Sequence, residues 1–441
     1  MTAETYRELA ESAWRWVLTQ VRWDDGPWIP ESITEPAPTA DRNGLYAGVG
    51  GLAHVLAEIR LTRPWTAEEK ELADAITAQV TAAIPAEQGA TFFDGLVSSL
   101  GVLTALEAPG ADAAVSRLEE LATPTGWPQA IVGPPRYLPE ARINDLTLGT
   151  AGVLLGALWA RRHGVEAATG LAERAATVLL AEGDDLPTGT NWLFVSARYR
   201  TDAGTQMPNL SHGVAGIAAT LALAGSELGR PDLVEASRRG AEHLVSLGVR
   251  GGDGFVVPRY IPSDVNDEDE FTYTWCHGAS GTSLLFLALD HAGVETIAGE
   301  SPLTWHRRLL HSVRSSGLPE RRYPGFWDND GRCCGTAGVG DIFLDSWDRA
   351  RDPVDLEFTL RLADALVERA MREDSYAYWR FVEHRADDPL LPPGIGWMQG
   401  AAGIAAYLFR IARVCAAPAD AVSLPRMETW WAVSGARPQP S

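Results

Sequence analysis

Cysteine is scarce in this chain: there are four in 441 residues. Positive charge is short as well. Thirty-seven Lys and Arg stand against 58 Asp and Glu, a formal net charge of −21, which argues against nucleic acid as a partner. It also leaves no basic surface for anionic lipid. No apolar run is long enough to cross a bilayer. The opening stretch MTAETYRELAESAW is acidic and amphipathic, unlike a secretory signal. Together these absences predict a soluble cytoplasmic protein, in which thiols stay reduced and a disulfide is a poor use for cysteine. Cys415, in LFRIARVC, falls at helical apolar spacing and reads as core filler. Two of the other three are adjacent, Cys333 and Cys334, and that placement calls for a reason.

What is present is ample material for a core. Hydrophobic residues make up 46% and charged residues 22%, so wholesale disorder is excluded. Sixteen tryptophans read first as bulky packing between helices. An aromatic cleft for a peptide or sugar is the sharper alternative.

The length alone suggests two or three domains, but an internal repeat reorganises that view. CCGTAGVGDIFL has six relatives: LYAGVGGLAHVL, FFDGLVSSLGVL, TLGTAGVLLGAL, SHGVAGIAATLAL, CHGASGTSLLFLAL and MQGAAGIAAYLF. Their leading glycines are Gly48, Gly95, Gly149, Gly213, Gly278, Gly335 and Gly400, spaced 47 to 65 residues apart. Six copies carry a second glycine three positions on; the second copy has Ser98. Each continues at helical apolar spacing, so each G-x-x-G predicts the start of a buried helix. One such motif is weak, but seven in one context are not chance.

Amphipathic segments lie between the copies. They are Thr5–Val21, Thr66–Ile84, Ala111–Leu121, Val165–Leu180, Pro231–Leu247, Pro302–Arg314 and Pro353–Met371. Thr66 and Glu69 have capping-box spacing, and three segments open on a proline, which the first helical turn tolerates. A helical hairpin cannot bury its apolar face alone, so hairpins must stack on neighbours. The expected fold class is all-α: an α/α toroid of seven hairpins forming a single domain over residues 1–433. An open solenoid has the same periodicity and differs by leaving its ends apart. NWLFVSARYRTDAG and YAYWRF alternate like strands, DVNDEDE reads as a solvated loop, and residues 434–441 read as a disordered tail.

The repeat register aligns residues at the helix mouths. Directly before the leading glycines stand Ala47, Asp94, Leu148, His212, His277, Cys334 and Gln399. One place earlier stand Tyr46, Phe93, Thr147, Ser211, Cys276, Cys333 and Met398. Three of the four cysteines therefore fall in two matching columns. The chemistry this predicts is metal ligation by Cys276, Cys333 and Cys334, because zinc takes thiolates tetrahedrally and a catalytic site leaves one position open. A helix N-terminus also favours the thiolate form. Three buried, unreactive thiols are the plain alternative. His212 and His277 by themselves read first as structural hydrogen-bonding residues at helix starts.

With SHGVAGI, WCHGASGT and CCGTAGVGD in these positions, the sequence resembles the lanthionine synthetase C-like family, the lanthipeptide cyclases. The resemblance spans nearly the whole chain. It implies an α/α toroid with a zinc ion held by Cys276 and Cys333, and with Cys334 where the family commonly has His. Three-cysteine sites also occur in the family, and an all-thiolate set trades thiol acidification for nucleophilicity. The resemblance implies thioether formation, in which a peptide cysteine thiolate attacks a dehydroalanine or dehydrobutyrine. It also implies acid–base work by His212, with Asp145 of INDLTLG orienting or charge-tuning it. His277 is a second proton-transfer candidate.

The partners implied are a dehydrated precursor peptide and separate dehydratase, kinase-like or lyase-like enzymes, since the repeats leave no room for dehydration chemistry. Three other functions stay open on the sequence. One is a relative that adds glutathione to dehydroamino acids in proteins. Another is an α/α-toroid glycosidase, which would need two carboxylates flanking the bond. The last is an inactive scaffold.

Overall fold

The structure, a computed structural model, describes all residues except 35–36, 39–40, 130–135, 202–203, 263–269, 321–328, 384–387 and 434–441. The acidic loop DVNDEDE, apart from its last residue Glu270, and the expected disordered tail lie outside the described residues.

Among the described residues fourteen α-helices alternate in chain order. The amphipathic set is α1 (Ala3–Gln20), α3 (Ala67–Ala83), α5 (Ala111–Leu121), α7 (Ala168–Glu182), α9 (Pro231–Leu247), α11 (Pro302–Ser315) and α13 (Pro353–Arg369). The apolar set is α2 (Leu52–Arg60), α4 (Leu96–Ala105), α6 (Thr150–Arg162), α8 (Val214–Leu228), α10 (Ala279–His291), α12 (Thr336–Ala350) and α14 (Ala401–Ala416). The burial follows the reading: α8 is buried continuously from Val214 to Gly225, whereas α9 buries Leu233, Ser237, Gly240, Ala241 and Leu244 along one stripe. The Thr66–Glu69 capping box is closed by both of its hydrogen bonds, 2.7 and 3.2 Å. Boundaries differ from expectation by up to three residues, and two of the shifts change what a residue does. Helix α7 starts at Ala168, three residues late, after the turn that Val165 enters, and Met371 leaves α13 to begin a strand.

The chain divides into two compact units, each built from separate stretches. The first comprises Met1–Ala86, Gly101–Gly110 and Gly317–Arg426. Within it α1 packs against α14, and α14 against α2. The Met398 N–H donates to the Tyr46 carbonyl at 3.0 Å, His54 stacks on Trp397, and the Tyr6 hydroxyl donates to Asp364 at 2.5 Å. The first and seventh hairpins thus meet, as a closed ring requires and an open solenoid does not allow. The second unit comprises Glu87–Leu100, Ala111–Ser316 and Met427–Ser441. There α6 pairs with α7, α8 with α9, and α10 with α11, and α8 packs between α6 and α10.

The G-x-x-G motif has a steric origin. The apolar helices described from α6 onward have no side-chain cap; their first amides instead bond to backbone carbonyls seven residues back, as Thr150 N–H does to Ile143 (3.0 Å) and Ala215 N–H to Pro208 (3.0 Å). The chain must therefore double back tightly under the helix start. A Cβ at Gly213 would lie 1.9 Å from the Met207 carbonyl oxygen, and one at Gly216 would lie 2.0 Å from that of Leu210. Only glycine fits either place.

The long connections carry two-stranded antiparallel hairpins: β1 (Asp184–Leu186) with β2 (Gly189–Asn191), β3 (Val249–Gly251) with β4 (Gly254–Val256), β5 (Met371–Glu373) with β6 (Tyr376–Tyr378), and β7 (Arg380–Val382) with β8 (Leu390–Pro393). YAYWRF is β-structured as expected. Among its described residues NWLFVSARYRTDAG is strand only at Asn191, with isolated bridges at Val195 and Arg200 and one 3₁₀ turn at Ala197–Tyr199. Tryptophans pin several amphipathic helices, each donating its indole N–H to a backbone carbonyl. Trp127 reaches Leu118, Trp192 reaches Leu179 and Trp379 reaches Leu366, at 2.7 to 2.9 Å. All three are buried, so at these positions the packing reading of the tryptophans holds.

The first unit also holds a buried ionic cluster that periodicity did not reveal. Arg410 of α14 bonds Asp341 (3.0 Å) and Asp345 (2.5 Å) of α12, and Arg426 lies 3.5 and 3.7 Å from the same two carboxylates. All four side chains are at most 3% exposed. Burial opposes ionisation of Asp341, yet the charges of Arg332, Arg426 and Arg410 hold it well below the usual carboxylate range. Arg410→Met removes the partner shared by two buried carboxylates, leaving Asp345 with Arg426 alone and Asp341 with Arg332 and Arg426. We expect it to cost about 3–5 kcal/mol, read as a lower midpoint in urea; an unchanged midpoint would show that the cluster is not load-sharing.

Candidate metal centre and acid–base pair

The loops that double back before α6, α8 and α10 carry the candidate residues of the second unit. They are stitched together by backbone bonds: Phe92 N–H to the Thr147 carbonyl and Ser211 N–H to the Cys276 carbonyl, both 2.9 Å. Asn209 adds a buried brace, accepting from the Thr282 hydroxyl (2.7 Å) and donating to the Pro258 carbonyl (2.9 Å). The residues just before each leading glycine are thus held in fixed register.

Asp145 is fully buried. One of its oxygens accepts the Leu148 N–H (2.8 Å), and the other accepts the Thr147 hydroxyl (3.1 Å) and faces Nδ1 of His212 in a short hydrogen bond. Thr147 Oγ1 also stands 3.1 Å from that nitrogen. With Nδ1 engaged by Asp145, Nε2 is the ring nitrogen left for a reacting molecule, and the side chain is 23% exposed. Burial works against the charged imidazole, but the Asp145 hydrogen bond and charge, with the Cys276 thiol, outweigh it and raise the His212 pKa above its ordinary value. His277, 8% exposed, sets its ring 5.2 Å from that of His212. The sequence-derived pair Asp145–His212 is therefore brought together, with His277 alongside.

Two neighbours were missed by sequence reasoning. Thr147 stood in the aligned column but drew no role, because threonine there reads as filler. Phe194 meets His212 edge-on at 5.7 Å and lies in the loop that alternated like a strand. Buried Glu182 anchors that loop by bonding Ser196 and Arg198.

The cysteines follow the register reading. Cys333 and Cys334 approach to 3.4 Å between sulfurs. Cys276, Cys333 and Cys334 are all buried thiols, and their sulfurs all lie within 4.8 Å of one another. Three sulfurs bound tetrahedrally at about 2.3 Å from one zinc stand about 3.8 Å apart, so the donor set fits that ion in spacing and in chemistry. The first-turn amides of α10 are spent on the Thr272 and Thr274 carbonyls; the Thr274 hydroxyl lies 3.5 Å from the Cys276 sulfur. Cys415 stands apart from this group, and burial raises its thiol pKa.

The chain belongs to the lanthionine synthetase C-like protein family, whose model matches residues 39–415. Among solved structures it is similar to a nisin cyclase, with a TM-score of 0.57 and 14% identity over 84% of this chain and 89% of that one. A GH76 α-mannanase from Bacteroides thetaiotaomicron matches with a TM-score of 0.49 and 11% identity, over 92% and 95% of the two chains. An unsaturated glucuronyl hydrolase from Bacillus sp. GL1 matches at 0.45 and 12%, over 98% and 99%. No curated protein sequence matches the chain. At such identities these likenesses speak to the fold alone, and the fold is an α/α toroid. Among the described residues, no helix is long and apolar enough to cross a membrane.

Proposed function

We propose that this protein is a zinc-dependent lanthipeptide cyclase acting on a dehydrated peptide within a single toroid domain over residues 1–433. The observation that carries the reading is three buried thiols gathered within 4.8 Å in a member of this family. Cys276, Cys333 and Cys334 would hold the ion. When bound, zinc supplies acidification of a coordinated thiol. The residues of the chain do the rest. His212, protonated through its partnership with Asp145, delivers a proton from Nε2 to the α-carbon of the acceptor. Asp145 and Thr147 fix the ring and its tautomer, and the Phe194 edge limits water beside it.

The bookkeeping of atoms is simple. The S–H bond of a peptide cysteine breaks, the C=C π bond of a dehydroalanine or dehydrobutyrine breaks, and S–Cβ and Cα–H bonds form. Nothing is lost, so the peptide's mass is unchanged. The dehydration that prepares the acceptor is assigned to separate enzymes.

The test is incubation with a dehydrated, cysteine-containing peptide and excess glutathione, followed by thiol alkylation and mass measurement. A product of unchanged mass that no longer alkylates is expected. A product heavier by one glutathione, its cysteine still alkylating, would assign the protein to the glutathione-adding alternative, and a peptide that alkylates fully and carries no glutathione would defeat both.

The third ligand has its own test. Cys334→His should keep zinc and move the rising limb of the pH–rate profile to lower pH, because a neutral ligand replaces an anionic one and acidifies the bound thiol further. Cys334→Ala should lose most of the metal; zinc content equal to wild type would remove Cys334 from the ligand set.

A further inference from the structure

The residue just before the cysteine doublet is an arginine, and it is almost completely buried, 7% exposed. Both of its ends are fixed. Its backbone N–H donates to the Met398 carbonyl at 2.8 Å, and the Cys333 N–H shares that same acceptor at 2.9 Å. Its guanidinium pairs with Asp341 of α12 and lies 4.0 Å over the Trp397 ring. Asp341 is in turn gripped by Arg410 and Arg426. The surroundings leave no slack: a Cβ on Gly403 of α14 would meet the Arg332 side chain at 2.6 Å, and one on Gly338 of α12 would meet its carbonyl oxygen at 1.8 Å.

A buried ion pair of this kind adds little stability over apolar packing. Its value lies in fixing geometry, and what it fixes here is the chain one bond away from Cys333. We propose that Arg332 is a positioning residue for the metal centre: by locking into the buried ionic cluster and onto Trp397, it holds the Cys333–Cys334 pair with both sulfurs turned to one ion. The inference rests on the reading of those cysteines as ligands.

The test is a cobalt(II) titration of the full-length, chelator-cleared protein, following thiolate charge-transfer and d–d absorption, with competition against a chelator. Residues that orient metal ligands typically change affinity by about 10- to 100-fold, and that loss is expected for Arg332→Met, together with an altered d–d envelope. Arg332→Lys keeps the charge but not the planar stacking and paired bonds, so an intermediate loss of about 3- to 10-fold is expected. Asp345→Asn perturbs the same cluster away from the doublet; it should lower thermal stability yet keep wild-type cobalt affinity and spectrum.

Wild-type affinity and spectrum in both Arg332 variants would overturn the proposal, and if Arg332→Met does not fold, the same result in Arg332→Lys alone does so. Equal losses in Asp345→Asn and the Arg332 variants would also overturn it, since the effect would then be one of general stability. A wild-type protein that takes up no cobalt overturns the zinc reading, and this inference with it.

Discussion

Cys276→Ala is expected to leave the protein almost free of zinc, while Cys415→Ala keeps a full equivalent. The contrast follows from position. The sulfur of Cys276 is one of three within 4.8 Å of one another, whereas Cys415 lies on α14 away from that group, with a thiol that burial keeps protonated. Thiolate ligation of zinc yields about 10–16 kcal/mol in small structural sites, so removing one ligand forfeits about 3 kcal/mol or more, a hundredfold in affinity. Elemental analysis after dialysis against a weak chelator reads the difference. Equal zinc in the two variants would disprove the assignment of Cys276.

The second large effect separates catalysis from metal binding. His212→Ala should retain zinc and slow cyclisation by about 10²- to 10⁴-fold, the usual contribution of a positioned acid or base, or roughly 3 to 5 kcal/mol of barrier. The electrostatics add a direction. Asp145 raises the His212 pKa, which extends the pH range over which the ring can donate a proton. Asp145→Asn removes that negative charge, so the ring loses its proton at lower pH and the falling alkaline limb of the rate profile should move down in pH. An unmoved limb would show that His212 is not the group titrating there, and a wild-type rate in His212→Ala would remove it from the chemistry.

How far the sequence carried these residues depends on what each signal was. The seven helix starts were legible because their glycines answer a steric demand: a carbonyl from six residues earlier occupies the space a Cβ would need at Gly213 or Gly216. That same register aligns Cys276, Cys333 and Cys334 in two columns, and it also aligns Thr147, which no residue-type rule singles out. The hydrogen bond from His212 to Asp145 spans 67 positions and was expected only through the family resemblance. The ionic cluster was invisible because Asp341, Asp345 and Arg410 sit on helices whose apolar pattern predicts burial, while charge at those positions predicts exposure. Their mutual pairing resolves the conflict, and only packing of α12 and α14 could disclose it. Phe194 failed for the opposite reason: period-two alternation suggested a strand, but among the described residues this stretch pairs only through isolated bridges such as Val195 with Ile143.

The most direct measurement is X-ray absorption at the zinc edge of the purified protein. A first shell dominated by sulfur at about 2.3 Å, with three protein sulfurs and one lighter scatterer, is the expected result, with the lighter atom replaced by a fourth sulfur when a cysteine-containing dehydrated peptide is added. A shell made mainly of nitrogen and oxygen, or one that does not change with the peptide, would contradict the assignment of Cys276, Cys333 and Cys334 as the centre that activates the thiol.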